Sequence, residues 1–197
     1  MGDLSRAIEA IGDGKLVVYP TETVYGLGAD ALDVEAIERV FRAKNRPREN
    51  PISFAVESIE RAMQFAHIDA ETRAFMHAFL PGPVTVVCPK RANIPDELTG
   101  GDPRVGVRIP SHEFALELLS QTPPLTATSA NRSGNQPVTS VDELDEKLRN
   151  ACEVVIDGGV TAGGVSTVVD VSAGVIHRRG RLADPVDTWL EEWKRDL

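Results

Sequence analysis

Short apolar runs of strand type alternate with amphipathic helical patterns along most of this 197-residue chain. The alternation is interrupted between the runs 84–88 and 104–109, which are joined by a polar loop without a helical pattern. Strict alternation builds an all-parallel sheet, whereas two strands without an intervening helix are typical of antiparallel neighbours. The sequence therefore predicts an α/β fold with a mixed sheet and helices packed on it.

The individual elements follow from the same periodicities. The strand-like runs are 15–19, 52–56, 84–88, 104–109, 125–128 and 154–157, followed by a hairpin of 166–171 with 175–178. Helical patterns begin at Asp3, near Asp33 and after Ser111, and others cover 58–66, 69–80, 141–148 and 187–194. Asp3 and Ser111 are polar residues of the kind that cap helix N-termini.

Composition limits the class of protein. The chain carries 30 acidic and 21 basic residues, a net charge of −9, which argues against coating nucleic acid by bulk electrostatics. Cys88 and Cys152 each lie in or beside an apolar run, so reduced, buried thiols are expected. No apolar run is long enough to span a membrane, and the N-terminus lacks the layout of a signal peptide. We expect a cytoplasmic protein with a single domain, 1–197.

A polar loop follows the apolar run that ends at Tyr19. Pro20 cannot donate to a sheet ladder and ends the strand. The loop continues with Thr21-Glu22-Thr23 and then two glycines, which permit close approach of the backbone to a ligand. Ligands of α/β sheets bind at such strand ends, so this loop is a candidate binding site. A turn that binds nothing remains the alternative.

Most familiar catalytic signatures are absent from the sequence. It contains no phosphate-binding G-x-x-x-x-G-K-[ST] loop, no G-x-G-x-x-G, no H-E-x-x-H and no G-x-S-x-G. What remains is a set of cations and small polar side chains near strand ends. These residues are Lys44, Arg46, Arg108, Ser129, Asn131, Ser166 and Arg178. Together they suit a small anionic ligand such as a nucleotide, although each residue taken alone is better explained as a solvated side chain or a surface ion pair.

Six segments in sequence order resemble the YrdC-like threonylcarbamoyl-AMP synthase family. They are 19–28 (YPTETVYGLG), 44–47 (KNRP), 81–85 (PGPVT), 107–110 (VRIP), 128–134 (TSANRSG) and 166–170 (STVVD). The resemblance extends over nearly the whole chain and indicates the single-domain form. It implies a twisted mixed α/β sheet of the YrdC/RibB-like kind with a large basic cavity.

The resemblance also implies an activity and roles for particular residues. L-threonine, bicarbonate and ATP, with Mg²⁺, would give threonylcarbamoyl-AMP and pyrophosphate. A tRNA threonylcarbamoyltransferase would use this product for the t6A modification beside the anticodon. The implied catalytic residues are Lys44 and Arg46, the nucleotide-binding residues are Lys44, Arg46, Asn50, Ser129, Asn131 and Arg178, and the threonine-binding residues are Thr23, Arg108 and Ser166. No residue is assigned to a metal, and Glu22 receives no role.

Two positions depart from the family pattern. Many relatives carry a histidine where this chain has Ala55, and a serine often stands at the position of Pro137. Two other functions stay open: an RNA-binding module that uses the same basic cleft, and a carbamoyl-adenylate enzyme that uses carbamoyl phosphate in metal-centre maturation. The short chain and the lack of zinc-finger-like cysteines disfavour the second.

Overall fold

The sheet of the computed structural model, which describes residues 2–195, is mixed, as the sequence predicts. The nine strands within these residues are β1 (Val17–Tyr19), β2 (Gly26–Gly28), β3 (Ser53–Ala55), β4 (Val84–Pro89), β5 (Arg104–Arg108), β6 (Leu125–Ser129), β7 (Val154–Val155), β8 (Thr167–Asp170) and β9 (Val175–Arg178). Their order in the sheet is β7-β1-β2-β6-β3-β5-β4-β8-β9. The pairs β1/β7, β3/β5 and β4/β8 are parallel, and the other neighbours are antiparallel.

The eight helices within residues 2–195 are α1 (Asp3–Gly12), α2 (Val34–Lys44), α3 (Ile59–Ala62), α4 (Ala70–Phe79), α5 (Asp96–Thr99), α6 (Glu113–Ser120), α7 (Glu146–Ala151) and α8 (Ala183–Arg195). Six of them lie between strands in sequence, whereas α1 precedes β1 and α8 follows β9. The Asp33 and Asp69 side chains cap α2 and α4 by accepting hydrogen bonds from backbone amides. Every helix within residues 2–195 is too short or too polar to span a lipid bilayer.

Alternation along the strands separates a core face from a cavity face. In β4, Val84, Val86 and Cys88 point into the main core, whereas Thr85 and Val87 line the cavity described below. The main core also receives residues of α2, α4 and α8. A second apolar cluster packs α1 and α6 against Tyr19 and Ala55, which also line the cavity. The cavity therefore occupies the part of this face that α1 and α6 leave open.

The strand β2 was not predicted, because its sequence Gly-Leu-Gly reads as part of a loop. It forms because it pairs with β1 on one side and with β6 on the other. The ring of Tyr19 packs against this strand, and a Cβ added to Gly28 would come within 2.8 Å of that ring. The glycines thus serve close packing between strands as well as the loop.

Several predicted boundaries are wrong. Gly2 and His112 occupy the N-cap positions of α1 and α6, so neither Asp3 nor Ser111 is the cap. The pattern 58–66 forms only the single turn of α3. The pattern 141–148 divides into a 3₁₀ turn and α7, since Asp145 caps a new helix start. The predicted tail helix 187–194 begins earlier, at Ala183, and ends at Arg195.

The two thiols are free, as predicted, but only one is fully enclosed. Cys88 is buried in the core, whereas Cys152 is half-buried. Burial raises the pKa of each thiol to about 12. Neither thiol is therefore an activated nucleophile at neutral pH.

Candidate active site

Lys44 is the last residue of α2 and is one of the most deeply buried side chains, with 2% of its surface exposed. The helix ends because Asn45 adopts a left-handed conformation, with φ 49° and ψ 46°, which asparagine tolerates. This turn brings Arg46 to the cavity beside Lys44. Burial, reinforced by the charge of Arg46, lowers the pKa of Lys44 from its ordinary value of 10.5 to about 7.

The Lys44 ammonium is bonded to the loop that follows β6. Its Nζ donates to the backbone oxygens of Ser129 and Asn131, the latter at 2.6 Å. The Lys44 carbonyl in turn accepts a bond of 2.8 Å from the Ser133 amide. An ammonium has three N–H donors, so one remains for a ligand. Lys44 therefore holds this loop in place in addition to the phosphate-binding role that the motif implies.

The same loop is fixed by its own side chains. Asn131 donates through Nδ2 to the carbonyls of Arg132 and Asn135, at 2.9 and 2.8 Å. The Ser129 hydroxyl donates to Asn131 Oδ1. Ser133 Oγ is buried, has no hydrogen-bond partner among residues 2–195 and also lines the cavity. The backbone of this loop is thus ordered before a ligand binds, and the loop presents its hydroxyl and amide groups from a fixed position.

Arg46 and Arg178 supply two further cations. Arg46 donates to the carbonyls of Asn50 and Pro51, at 3.1 and 2.9 Å, and Arg178 donates to Ser166 O and Oγ, at 3.1 and 2.8 Å. Within residues 2–195 neither guanidinium has a carboxylate partner within 4.0 Å. Burial lowers the pKa of both, and the charge of Arg178 lowers that of Arg46 further. The two side chains form a site that favours an anion.

Arg108 occupies a different part of the cavity. It is the last residue of β5 and is 8% exposed. Its Nη2 donates to Glu22 Oε1 at 2.5 Å and lies 3.4 Å from Thr23 Oγ1. Burial lowers the pKa of Arg108, against the opposing effect of the Glu22 carboxylate.

The two parts of the cavity are joined through β4 and the residue before β8. Thr85 Oγ1 lies 3.0 Å from Ser166 Oγ, and the same Ser166 hydroxyl accepts from Arg178. In the sheet, Thr85 is the cross-strand neighbour of Arg108. Thr85 belongs to the PGPVT segment but was not predicted to be a site residue. The signal that could have identified it is a polar residue at a cavity-facing position of an otherwise apolar strand.

Between these parts, the floor of the cavity is narrow. Gly106 in β5 lies between Ser53 and Thr85, and a Cβ added there would meet the Ser53 Cβ at 2.9 Å and the Thr85 Cγ2 at 3.0 Å. A glycine at this position keeps the floor flat, which allows a planar or charged group to approach the sheet.

All nine residues that the motifs assign to substrates line one cavity of about 600 Å³. They are Thr23, Lys44, Arg46, Asn50, Arg108, Ser129, Asn131, Ser166 and Arg178. The described lining contains five arginine or lysine side chains and one carboxylate, Asp102, which is paired with Arg104. The cations of the described lining therefore outnumber its carboxylate five to one, although the chain as a whole is acidic. The roles of the individual residues stay predictions.

The two departures from the family pattern lie in different places. Ala55 lines the cavity from β3, so no imidazole is present at that position. His177 also lines the cavity, but from β9, and β5, β4 and β8 separate the two strands. It is therefore not a neighbour of Ala55 in the sheet. Pro137 is not among the lining residues.

Comparisons with known proteins show which family the chain is similar to. A family model named Sua5_yciO_yrdC and described as "Telomere recombination" matches residues 9–180. The threonylcarbamoyl-AMP synthase of Pyrococcus abyssi is 46% identical over 165 residues, which are 82% of this chain and 48% of that protein. The chain thus spans about half the length of this relative.

Two solved structures have the same fold. The crystal structure of P. abyssi Sua5 complexed with L-threonine matches with a TM-score of 0.85 and 42% identity, covering 91% of this chain and 55% of that one. The crystal structure of E. coli YciO matches with a TM-score of 0.82 and 25% identity, covering 90% of this chain and 89% of that one. The resemblance seen in the motifs is confirmed: the chain belongs to the Sua5/YciO/YrdC family.

Proposed function

We propose that the chain synthesises L-threonylcarbamoyl-AMP from L-threonine, bicarbonate and ATP, with release of pyrophosphate and water. The observation that carries this proposal is the convergence of nine side chains from separate segments in one cavity. Its volume of about 600 Å³ is typical of cavities that bind small molecules. The P. abyssi relative, which carries the name of this activity, and the structure of that organism's Sua5 with L-threonine support it.

The two parts of the cavity fit the two organic substrates. The guanidinium of Arg108 suits the carboxylate of threonine, with the hydroxyls of Thr23 and Ser166 beside it. Lys44, Arg46 and the Ser129–Asn131 loop suit the phosphates of ATP, with Asn50 and Arg178 completing that part of the site. Because Ser166 contacts both Thr85 and Arg178, the amino acid and the nucleotide would lie next to each other.

The chemistry needs no covalent enzyme intermediate. The amine of threonine adds to the carbon of bicarbonate, and loss of water leaves a carbamate. A carbamate oxygen then attacks the α-phosphorus of ATP, the bond from that phosphorus to the bridging oxygen of the β-phosphate breaks, and pyrophosphate leaves. The cavity contributes by aligning the two substrates and by neutralising charge on the leaving group through Lys44 and Arg46.

Magnesium would enter with the nucleotide. Within residues 2–195 no three His, Cys, Asp or Glu side chains come together as a metal site. Asp102, the carboxylate of the cavity lining, is already paired with Arg104. Mg²⁺ would therefore be held mainly by phosphate oxygens and water, where it neutralises phosphate charge. No step assigned here to the protein depends on a metal site of its own.

The product would be passed to a tRNA threonylcarbamoyltransferase for the t6A modification beside the anticodon. A mixed carbamoyl–phosphate anhydride is an activated donor, so a second enzyme must consume it. The alternative of RNA binding by the same cleft gains no support from the geometry. Lys44 and Arg108 are 2% and 8% exposed, which places them out of reach of an RNA backbone.

Pyrophosphate release tests the proposal. The chain is incubated with ATP, bicarbonate, Mg²⁺ and each amino acid in turn. We expect threonine to stimulate release, with serine and valine weaker because each lacks one part of the threonine side chain. If no amino acid changes the rate of pyrophosphate release, the proposal is contradicted. Salt-dependent tRNA binding that needs neither ATP nor threonine would instead support the RNA-binding alternative.

A further inference from the structure

Glu22 is the one charged residue of the loop 20–25, and the proposed reaction gives it no task. Its carboxylate pairs with Arg108, and the two side chains are 14% and 9% exposed. Arg108 lines the cavity, whereas Glu22 does not. Glu22 Oε2 is enclosed without a hydrogen-bond partner within the described part of the chain. The carboxylate therefore binds a guanidinium that lines the cavity, although Glu22 itself is not among the described lining residues.

The loop that carries Glu22 is itself held rigidly. Thr21 Oγ1 donates to the Val24 carbonyl at 2.6 Å and lies 3.1 Å from Thr23 Oγ1. The Thr23 carbonyl accepts from the Gly163 amide at 2.7 Å. A carboxylate on such a turn is fixed in direction before any ligand arrives.

Arg108 is held at both ends. Its backbone lies between β3 and β4, in register with Ala55 and Thr85. At the other end, the hydrogen bonds that its guanidinium makes within residues 2–195 all leave from Nη2, to Glu22 and weakly to Thr23. Nε and Nη1 remain for a ligand. Without Glu22, this long side chain would have no charged partner and could adopt other rotamers.

We propose that Glu22 is a positioning residue that orients Arg108 so that Nε and Nη1 face the carboxylate of the amino acid substrate. This inference rests on the proposed function, since it concerns how the same cavity recognises threonine. Glu22 touches neither substrate and acts only through Arg108. Its loss should therefore affect the amino acid and leave the nucleotide unaffected.

The test is a kinetic comparison of Glu22→Gln with the wild-type chain. Glutamine keeps the shape and one acceptor oxygen but loses the ion pair with Arg108, so we expect the KM for threonine to rise about tenfold. The KM for ATP should stay within about twofold. Glu22→Asp keeps the charge and should restore part of the threonine affinity. Glu57→Gln is the matched control, because Glu57 Oε2 is also buried without a partner but does not line the cavity or pair with Arg108.

A double substitution separates positioning from general damage. In an Arg108→Gln background, Glu22→Gln should add little to the KM for threonine, since its effect passes through the missing guanidinium. The proposal would be overturned if the two substitutions had additive effects on the KM for threonine. It would also be overturned if Glu22→Gln left that KM unchanged, or raised the KM values for threonine and ATP equally. If Glu22→Gln does not fold, as thermal unfolding would show, Glu22→Asp carries the same test. If threonine does not change pyrophosphate release by the wild-type chain, the proposed function itself is contradicted.

Discussion

The protonation of Lys44 gives the account a prediction that does not depend on the substrates. The folded chain buries this amine and lowers its pKa to about 7, whereas in the unfolded chain the ordinary value is 10.5. Between about pH 7 and pH 10.5 the unfolded chain binds more protons than the folded chain, so the free energy of unfolding rises with pH. Lys44→Met removes the titrating group at nearly constant volume and should abolish this part of the rise.

The size of the effect follows from the two pKa values. For a group that titrates at about 7 when folded and at 10.5 when unfolded, the free energy of unfolding gains about 3 kcal/mol between pH 6 and pH 9. Other titrating groups contribute equally to both proteins and cancel in the difference. The methionine also leaves the carbonyls of Ser129 and Asn131 without a donor, which shifts the difference by an offset that does not depend on pH.

The assay is urea unfolding of both proteins at several pH values from 6 to 9. We expect the stability of the wild-type chain relative to Lys44→Met to increase with pH by about 3 kcal/mol over this range. Lys147→Met is the control, since this lysine is exposed on α7 and loses little solvation on folding. Parallel curves for wild type and Lys44→Met would show that the amine is not desolvated and would refute the reasoning.

Three further predictions concern the cavity. Arg46→Ala should lower the rate of pyrophosphate release at least about tenfold, the scale of one lost charged contact; a rate equal to that of the exposed control Arg6→Ala would contradict its role. Arg108→Gln should raise the KM for threonine while leaving the KM for ATP nearly unchanged, and a rise in the ATP value instead would contradict the division of the cavity. Gly106→Val should destabilise the chain by about 1–3 kcal/mol in urea unfolding, because a Cβ there crowds Ser53; full stability would show that the floor can give way.

Local sequence patterns predicted the elements whose stability is itself local. The helix α2 combines an Asp33 cap with an apolar stripe, and the hairpin β8/β9 is joined by a tight turn, so both were predicted. The strand β2 was not, because Gly-Leu-Gly has no strand propensity and becomes a strand only through pairing with β1 and β6. The start of α6 was missed because its N-cap residue, His112, makes no side-chain capping hydrogen bond and so gives no local signal.

The site was predictable in composition but not in its internal bonding. Motifs identified the cations and hydroxyls. Arg108 and Ser129 stand at strand ends, where ligands of α/β sheets bind, whereas Lys44 stands at the end of the helix α2. They could not show that Lys44 donates to the carbonyls of Ser129 and Asn131, or that Glu22 pairs with Arg108. Such contacts join residues about 85 positions apart, and only the folded sheet brings them together.

The central claim is that one cavity joins threonine, bicarbonate carbon and AMP into a single molecule. The most direct measurement is mass spectrometry of the nucleotides formed from ATP, L-threonine and ¹³C-bicarbonate. We expect an AMP adduct that contains one threonine and one ¹³C atom and that forms in step with pyrophosphate. The proposed activity would be contradicted by formation of AMP or ADP without incorporated carbon. An adduct whose mass does not change with the isotope would contradict it as well.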